Sequence, residues 1–332
     1  SSDCFEKGRF GGPFFVYSRF LIAAQMVGFS LNIRARETGM NDAVKPVIGI
    51  LGGSGVYEID GLTNTRWQAI ESPFGNPSDE LLFGELDGVQ LVFLPRHGRG
   101  HKQSPSSINY RANIDAMKRA GVTDLVSVSA VGSFREDLSP GTFVIIDQFI
   151  DRTFAREKSF FTEGCVAHVS VAHPVCGRLG DHLETAAKSL DIPVSRGGTY
   201  LAMEGPQFSS LAESNLYRSW NCDVIGMTNM PEAKLAREAE ICYATVAMVT
   251  DFDCWHPDHD NVEVADIIRV LTGNADNARS LVKDVAPALA QGRPDACPHG
   301  CDRALEFAMI TSPEARDPDV VKRLDAIAGR VL

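Results

Sequence analysis

The chain has 332 residues, 44% of them hydrophobic and 23% charged, which is ample for a folded α/β enzyme of one or two domains. A net charge of -11 excludes a general nucleic-acid binder, which needs a basic surface, but leaves room for a small anionic substrate at a local basic cluster. No 18-residue stretch is free of charged and polar interruptions, so no transmembrane helix and no membrane partner are expected.

Residues 1–39 stand apart. Residues 1–38 carry an apolar patch from Phe14 to Leu31 and scattered Arg9, Arg19, Arg34 and Arg36 with few acids, which resembles a targeting presequence in composition. It lacks a small-residue cleavage site after an apolar core. The favoured reading takes Met40 as the start of the native core, because Met40-Asn41-Asp42-Ala43-Val44-Lys45-Pro46 leads straight into a strand. The expected organisation is an N-terminal extension over 1–39, one α/β domain over 40–291, and a polar, proline-containing tail over 292–332 with a helix at its end.

Short apolar runs predict strands at Val47–Leu51, Val89–Leu94, Leu125–Ala130, Phe143–Asp147, Thr199–Glu204, Cys222–Gly226 and Tyr243–Val249. Helical spacing predicts helices over 109–120, 181–190, 209–220, 231–240 and 264–289, the last with breaks at Gly273 and before Pro287. Alternating strands and helices imply a central mixed, largely parallel β-sheet flanked by helices.

The strand ends carry the chemistry, since open α/β sheets hold ligands at the carboxyl ends of their strands. Gly52-Gly53-Ser54-Gly55 offers amides and a hydroxyl to an anion, or is a plain tight turn. It fits neither a dinucleotide fingerprint nor a Walker loop. Arg96 offers a planar fork for phosphate and His97 a further donor, although with Arg99 and His101 they could form a solvated basic loop. Ser129-Ala130 and Met227-Thr228 add hydroxyls and amides, or are simple strand-end packing. The most informative pair is Asp251 and Asp253. Strand alternation puts both on one face, and two adjacent carboxyls resist joint ionisation, so one becomes a candidate proton donor. A protonated and an ionised carboxyl suit an adenine edge, donating to N7 and accepting from the exocyclic amine. The plain alternative is a pair of solvated loop acids. Taken together, an anion site and a proton donor suit phosphate attack on a sugar anomeric carbon while Asp251 protonates the departing purine. No cofactor is needed, inorganic phosphate being a co-substrate.

Eight cysteines are present, with none at CxxC spacing. Cys297-Pro298-His299-Gly300-Cys301 could be two free thiols, the favoured reading, a redox-active disulfide loop, or a metal site lacking half its ligands. No metal is expected.

The motifs Gly52-Gly53-Ser54-Gly55, Pro73-Phe74-Gly75, Arg96-His97-Gly98-Arg99, Asn109-Tyr110, Ile146-Asp147-Gln148-Phe149-Ile150-Asp151-Arg152, Glu204-Gly205-Pro206-Gln207-Phe208-Ser209-Ser210 and Thr250-Asp251-Phe252-Asp253-Cys254-Trp255 resemble those of the S-methyl-5'-thioadenosine phosphorylases, of the purine nucleoside phosphorylase superfamily. The resemblance is dense from Val47 to about Leu289. It implies phosphate contacts from Ser54, Arg96, His97, Ser129, Ala130 and Thr228. It implies a ribose contact by Met227 and base contacts by Phe208, Ser209, Asp251 and Asp253. His168 and Val264, with residues of a neighbouring subunit in a cytoplasmic homotrimer, would form the 5'-methylthio pocket. Ser54 and Ser129 stand where many members carry Thr, which preserves the hydroxyl, and Gln207 stands where Arg is common. Members that prefer 6-oxopurines are expected to carry Asn in place of one acid, so the two Asp favour adenine. The implied activity is phosphorolysis of 5'-methylthioadenosine to adenine and 5-methylthioribose 1-phosphate, in methionine and purine salvage. The rivals are a methylthioinosine or broader purine nucleoside phosphorylase, a hydrolase, and a non-catalytic nucleoside-binding protein.

Overall fold

The computed structural model describes residues 46–53, 55–257, 264–291 and 293–332, without the side chains of 264–268. The expectations for residues 1–39 and for a start at Met40 lie outside the described residues, as do Ser54 and the Val264 side chain.

The strands are β1 (Val47–Gly52), β2 (Thr63–Gln68), β3 (Leu81–Leu86), β4 (Val89–Pro95), β5 (Asp124–Ser133), β6 (Phe143–Ile145), β7 (Gln148–Asp151), β8 (Val194–Arg196), β9 (Thr199–Ala202), β10 (Val224–Gly226) and β11 (Cys242–Asp251). They form one mixed sheet. β1 runs parallel to β4 and β5, and β5 runs parallel to β11, so these four carboxyl ends share one edge. β5 is long enough to pair again at its far end, where Ser133 and Gly132 meet Val224 and Ile225 of antiparallel β10. That reversal aims the end of β10, and Met227-Thr228 after it, back towards Ser129. β9 and β7 extend this side in parallel, while β6 and β8 lie beyond β11.

The helices are α1 (Tyr110–Arg119), α2 (Gly177–Ser189), α3 (Leu211–Ser219), α4 (Asn229–Glu238), α5 (Val264–Gln291), α6 (Pro318–Arg323) and α7 (Asp325–Ala328). β11 reads as an unbroken apolar run because both its faces are covered. Tyr243, Ala247 and Val249 enter the core that includes Ile114 and Met117 of α1 and Leu235 of α4. Cys242, Ala244, Val246 and Met248 enter the core that includes Leu183 of α2 and Leu281 and Val285 of α5.

Four strands escape the sequence pattern. β2 (TNTRWQ) is almost wholly exposed and polar, β7 is half polar, and β8 has only three residues, so none shows an apolar period. β3 is buried but has a glycine at its centre, where an added Cβ would strike Leu62 at 2.7 Å. α5 runs through both expected breaks. Gly273 has open space around it, and Pro287 forfeits one backbone bond within a long, well-packed helix. The polar C-terminal stretch is also more than a surface tail: Leu305, Leu324, Ile327 and Ala328 are 0–2% exposed and belong to the first core. Two short helices, α6 and α7, stand where one was expected. Arg119 of α1 holds Asp325 at 2.5 Å, and Arg330 holds Glu240 at 2.6 Å.

Candidate active site

The shared carboxyl edge opens into a cavity of about 400 Å³. Arg96, His97, Ser129, Ala130, Met227, Thr228, Phe208, Asp251 and Asp253 all line it, so residues from Arg96 to Asp253 meet in one place. Gly53 lines it too, beside Ser54. Val56, Met203, Leu271 and Ala275 supply apolar walls. Ser209 lies behind, its hydroxyl donating to Asp253 at 2.9 Å. His168 sits elsewhere, exposed on a loop whose backbone N–H donates to Ala308 at 2.8 Å.

At one end hydroxyls gather. The Ser129 Oγ lies 3.2 Å from both the Thr228 Oγ1 and the Tyr200 hydroxyl. β5 and the end of β10 supply the first two, and β9 supplies Tyr200. The approach is so close that a Cβ on Gly226 would sit 1.9 Å from the Tyr200 hydroxyl. Tyr200 was not anticipated, because its strand reads only as core.

Arg96 differs from its expected role as an open fork. It is 2% exposed and its donors are nearly all committed. Nε donates to Glu232 Oε2 at 2.8 Å, Nη1 to the Val128 carbonyl at 2.9 Å, and Nη2 to the Leu51 carbonyl at 3.0 Å and Ser127 Oγ at 2.6 Å. Of the guanidinium's five N–H donors, one on Nη1 is left for an anion. Glu232 is itself wholly buried and also accepts from the Tyr243 hydroxyl at 2.8 Å. Asn229 ties this network to Ser127 and Thr245. Glu232 was invisible in the sequence, where it looks like any acid in the first turn of a helix.

His97 also differs. Its Nδ1 lies 2.9 Å from the Gln103 carbonyl and donates to it, which leaves Nε2 of the neutral ring as an acceptor. Burial, the largest cause, and the neighbouring positive charge of Arg96 bring its pKa down to about 4. His101 stacks on the ring with centroids 4.1 Å apart.

At the other end stand the two acids, and strand alternation is not what pairs them. A register shift interrupts β11 between Val249 and Asp251, the strand stops at Asp251, and Asp253 sits in a tight turn at φ +52. That turn brings the Asp253 N–H onto Asp251 Oδ1 at 2.8 Å. Burial is the largest cause raising both pKa values; the Asp253 charge adds to the rise at Asp251 as a lesser one. Thr250 Oγ1 lies 2.7 Å from Asp251 Oδ2 and 3.1 Å from the Val131 carbonyl. It has one proton, so donating to Val131 leaves it free to accept from a protonated Asp251. Gly132 leaves room for this carboxyl: a Cβ there would come within 2.9 Å of Asp251 Oδ1.

Arg156, also unanticipated, braces the floor, its guanidinium donating to the Met227 and Met230 carbonyls at 2.6 Å and to the Glu204 carbonyl at 2.6 Å.

Hydroxyls, a buried arginine and two acids thus line one cavity at the carboxyl edge of the sheet, and the fold is of the nucleoside-phosphorylase type. A family model for the phosphorylase superfamily matches residues 47–287. An S-methyl-5'-thioadenosine phosphorylase of Rhodospirillum rubrum is 67% identical over 294 residues, covering 88% of this chain and 100% of that protein. One of Cereibacter sphaeroides is 65% identical over 289 residues, covering 87% and 99%. Among solved structures, a methylthioadenosine phosphorylase from an antarctic soil metagenomic library superposes with a TM-score of 0.81 at 49% identity, covering 85% of this chain and 99% of that one. The Schistosoma mansoni methylthioadenosine phosphorylase in complex with adenine gives 0.74 at 32% identity, covering 80% and 99%. The chain belongs to the phosphorylase superfamily and, within it, to the S-methyl-5'-thioadenosine phosphorylases, which are pentosyltransferase enzymes. Among the described residues no helix is long and apolar enough to cross a membrane.

Proposed function

We propose that the chain cleaves 5'-methylthioadenosine with inorganic phosphate, releasing adenine and 5-methylthioribose 1-phosphate for methionine and purine salvage in the cytoplasm. The observation that carries this reading is the placement of Asp251 and Asp253 in the same cavity as the Ser129 and Thr228 hydroxyls, with the Tyr200 hydroxyl behind Ser129. Phosphate lies in the hydroxyl corner, held by Ser129, Thr228, the remaining Arg96 N–H and the amides near Ser54 and Ala130. Neutral His97 accepts from a protonated phosphate oxygen through Nε2. Negative charge develops on the purine as the glycosidic bond breaks, and a protonated Asp251 beside N7 neutralises it. Asp253, steadied by Ser209, accepts from the exocyclic amine. The ribose spans the apolar middle against Met227, with Phe208 over the base. Phe208 is 72% exposed, which suits a wall completed by a neighbouring copy in a homotrimer. No cofactor takes part.

The test is Asp251→Asn, which keeps the shape and removes the acid. We expect kcat on methylthioadenosine to fall by roughly 10²–10⁴-fold with phosphate KM little changed. Undiminished turnover would take Asp251 out of the mechanism.

A further inference from the structure

At the end of β11 remote from Asp251, four cysteines far apart in sequence converge. Cys176, Cys242, Cys297 and Cys301 place all their sulfurs within 4.8 Å of one another, and the Cys176 and Cys297 sulfurs are 3.6 Å apart. All four side chains are buried, at 1–7% exposure. A tetrahedral zinc with Zn–S bonds of about 2.3 Å sets its sulfurs about 3.8 Å apart, so the cluster has the right size for one such ion. Iron–sulfur clusters, which place two or more irons between their thiolates, need a wider cage.

The surroundings are those of a metal thiolate centre. Cys176 is the N-cap of α2 and makes no side-chain capping bond there. Cys242 opens β11. Cys297 and Cys301 flank a tight loop in which Gly300 takes φ +61 and its N–H donates to the Cys297 carbonyl at 2.9 Å. Arg178 and Arg293 both grip buried Asp124, the latter at 2.8 Å. Arg178 still has Nε and Nη1 buried without a hydrogen-bond partner. The Cys242 sulfur lies within reach of this guanidinium. Four thiolates on a dication carry a net charge of -2, and the two guanidinium groups, less the Asp124 carboxylate they share, set a net positive charge beside it. Two disulfides would instead leave the sulfurs neutral and the spare Arg178 donors with nothing to face.

We propose that these four cysteines bind one structural zinc ion, which ties the start of α2, the first residue of β11 and the 297–301 loop together. This departs from the expectation that no metal is held. The half-complete motif seen in the C-terminal stretch is completed by Cys176 and Cys242, 121 and 55 positions from Cys297. The ion has no part in the reaction, since β11 separates it from Asp251 by about 30 Å. Its effect is to fasten the C-terminal segment, which carries Leu305, Leu324 and Ile327, to the core.

The experiment is elemental analysis of the untagged full-length protein, purified in reducing buffer without chelator. We expect about one zinc per chain, retained through dialysis against EDTA and released as a mercurial reagent titrates the thiols. Reconstitution with cobalt(II) should give the intense bands of a tetrahedral cobalt thiolate. The double variant Cys297→Ser/Cys301→Ser should lose the metal, and the wild-type measurements decide the matter even if that variant folds poorly. Zinc at background level with all four thiols titratable would overturn the proposal, as would disulfides found by mass or an iron-loaded centre.

Discussion

Replacing Arg96 by alanine separates an anion ligand from a structural pillar. Arg96 and Glu232 are 2% and 0% exposed and pair at 2.8 Å, with Ser127, Tyr243 and Asn229 satisfying the remaining atoms around them. Breaking a buried pair by removing one partner leaves an uncompensated charge and costs about 3–5 kcal/mol. A domain's whole stability is about 5–15 kcal/mol, so Arg96→Ala should lose a large part of it. At roughly 2–4 °C per kcal/mol for a chain approaching this size, the melting point should drop by about 10 °C. The assay is urea unfolding in phosphate-free buffer at fixed protein concentration, because bound phosphate would add its own stabilisation. Adding Glu232→Gln should recover at least half of the loss, since it removes the stranded charge. If Arg96→Ala unfolds within about 1 kcal/mol of the wild type and only raises the phosphate KM, the buried-pair argument fails and Arg96 is chiefly a ligand.

Gly132→Ala should impair chemistry more than folding. Its Cβ would press on the Asp251 carboxyl at 2.9 Å and on Asp253 at 3.3 Å, so kcat should fall by about tenfold or more, from a displacement of the order of 1 Å; an unchanged kcat would mean that the Asp251 position is not critical. Glu238 gives a pH signature in stability. Burial pushes its carboxyl up to about 7, against hydrogen bonds from Phe160 N and Ser159 Oγ. Its folded pKa lies above the unfolded value, so its contribution is fully present below about pH 4.5 and is lost as pH rises through 7. Glu238→Gln should therefore gain on the wild type by up to about 3 kcal/mol between pH 4.5 and 8 in denaturant titrations, and a pH-independent difference would refute the assignment. His97 acts in the opposite sense. With its folded pKa lowered to about 4, it favours folding above about pH 6.5, and that contribution is lost as pH falls towards 4. His97→Gln should flatten this acid-side loss.

The central sheet was legible because β1, β4, β5 and β11 are buried on both faces and leave apolar runs that nothing else explains. The strands that escaped notice are polar, short or interrupted by glycine, and they form because neighbours offer hydrogen-bonding edges rather than because their own residues demand it. The cavity was legible at its strand ends, since Ser129 and the two acids lie towards the shared carboxyl edge of parallel β5 and β11, while Thr228 reaches it from antiparallel β10. What supports those groups was hidden. Glu232 meets Arg96 136 positions away, Arg156 meets Met227 71 positions away and Tyr200 meets Ser129 71 positions away, and no local spacing encodes such meetings. The acids illustrate the limit: their pairing was read from strand alternation, yet a register shift and a left-handed turn at Asp253 achieve it. The cysteines make the same point, because half of their cluster is visible in the C-terminal loop and the other half comes from α2 and β11.

The most direct measurement is release of free base from 5'-methylthioadenosine with and without inorganic phosphate, beside adenosine and methylthioinosine. The account predicts adenine release that depends on phosphate, is fastest with methylthioadenosine and yields 5-methylthioribose 1-phosphate. Release at the same rate in phosphate-free buffer would contradict the anion corner, and a preference for methylthioinosine would contradict the roles given to Asp251 and Asp253.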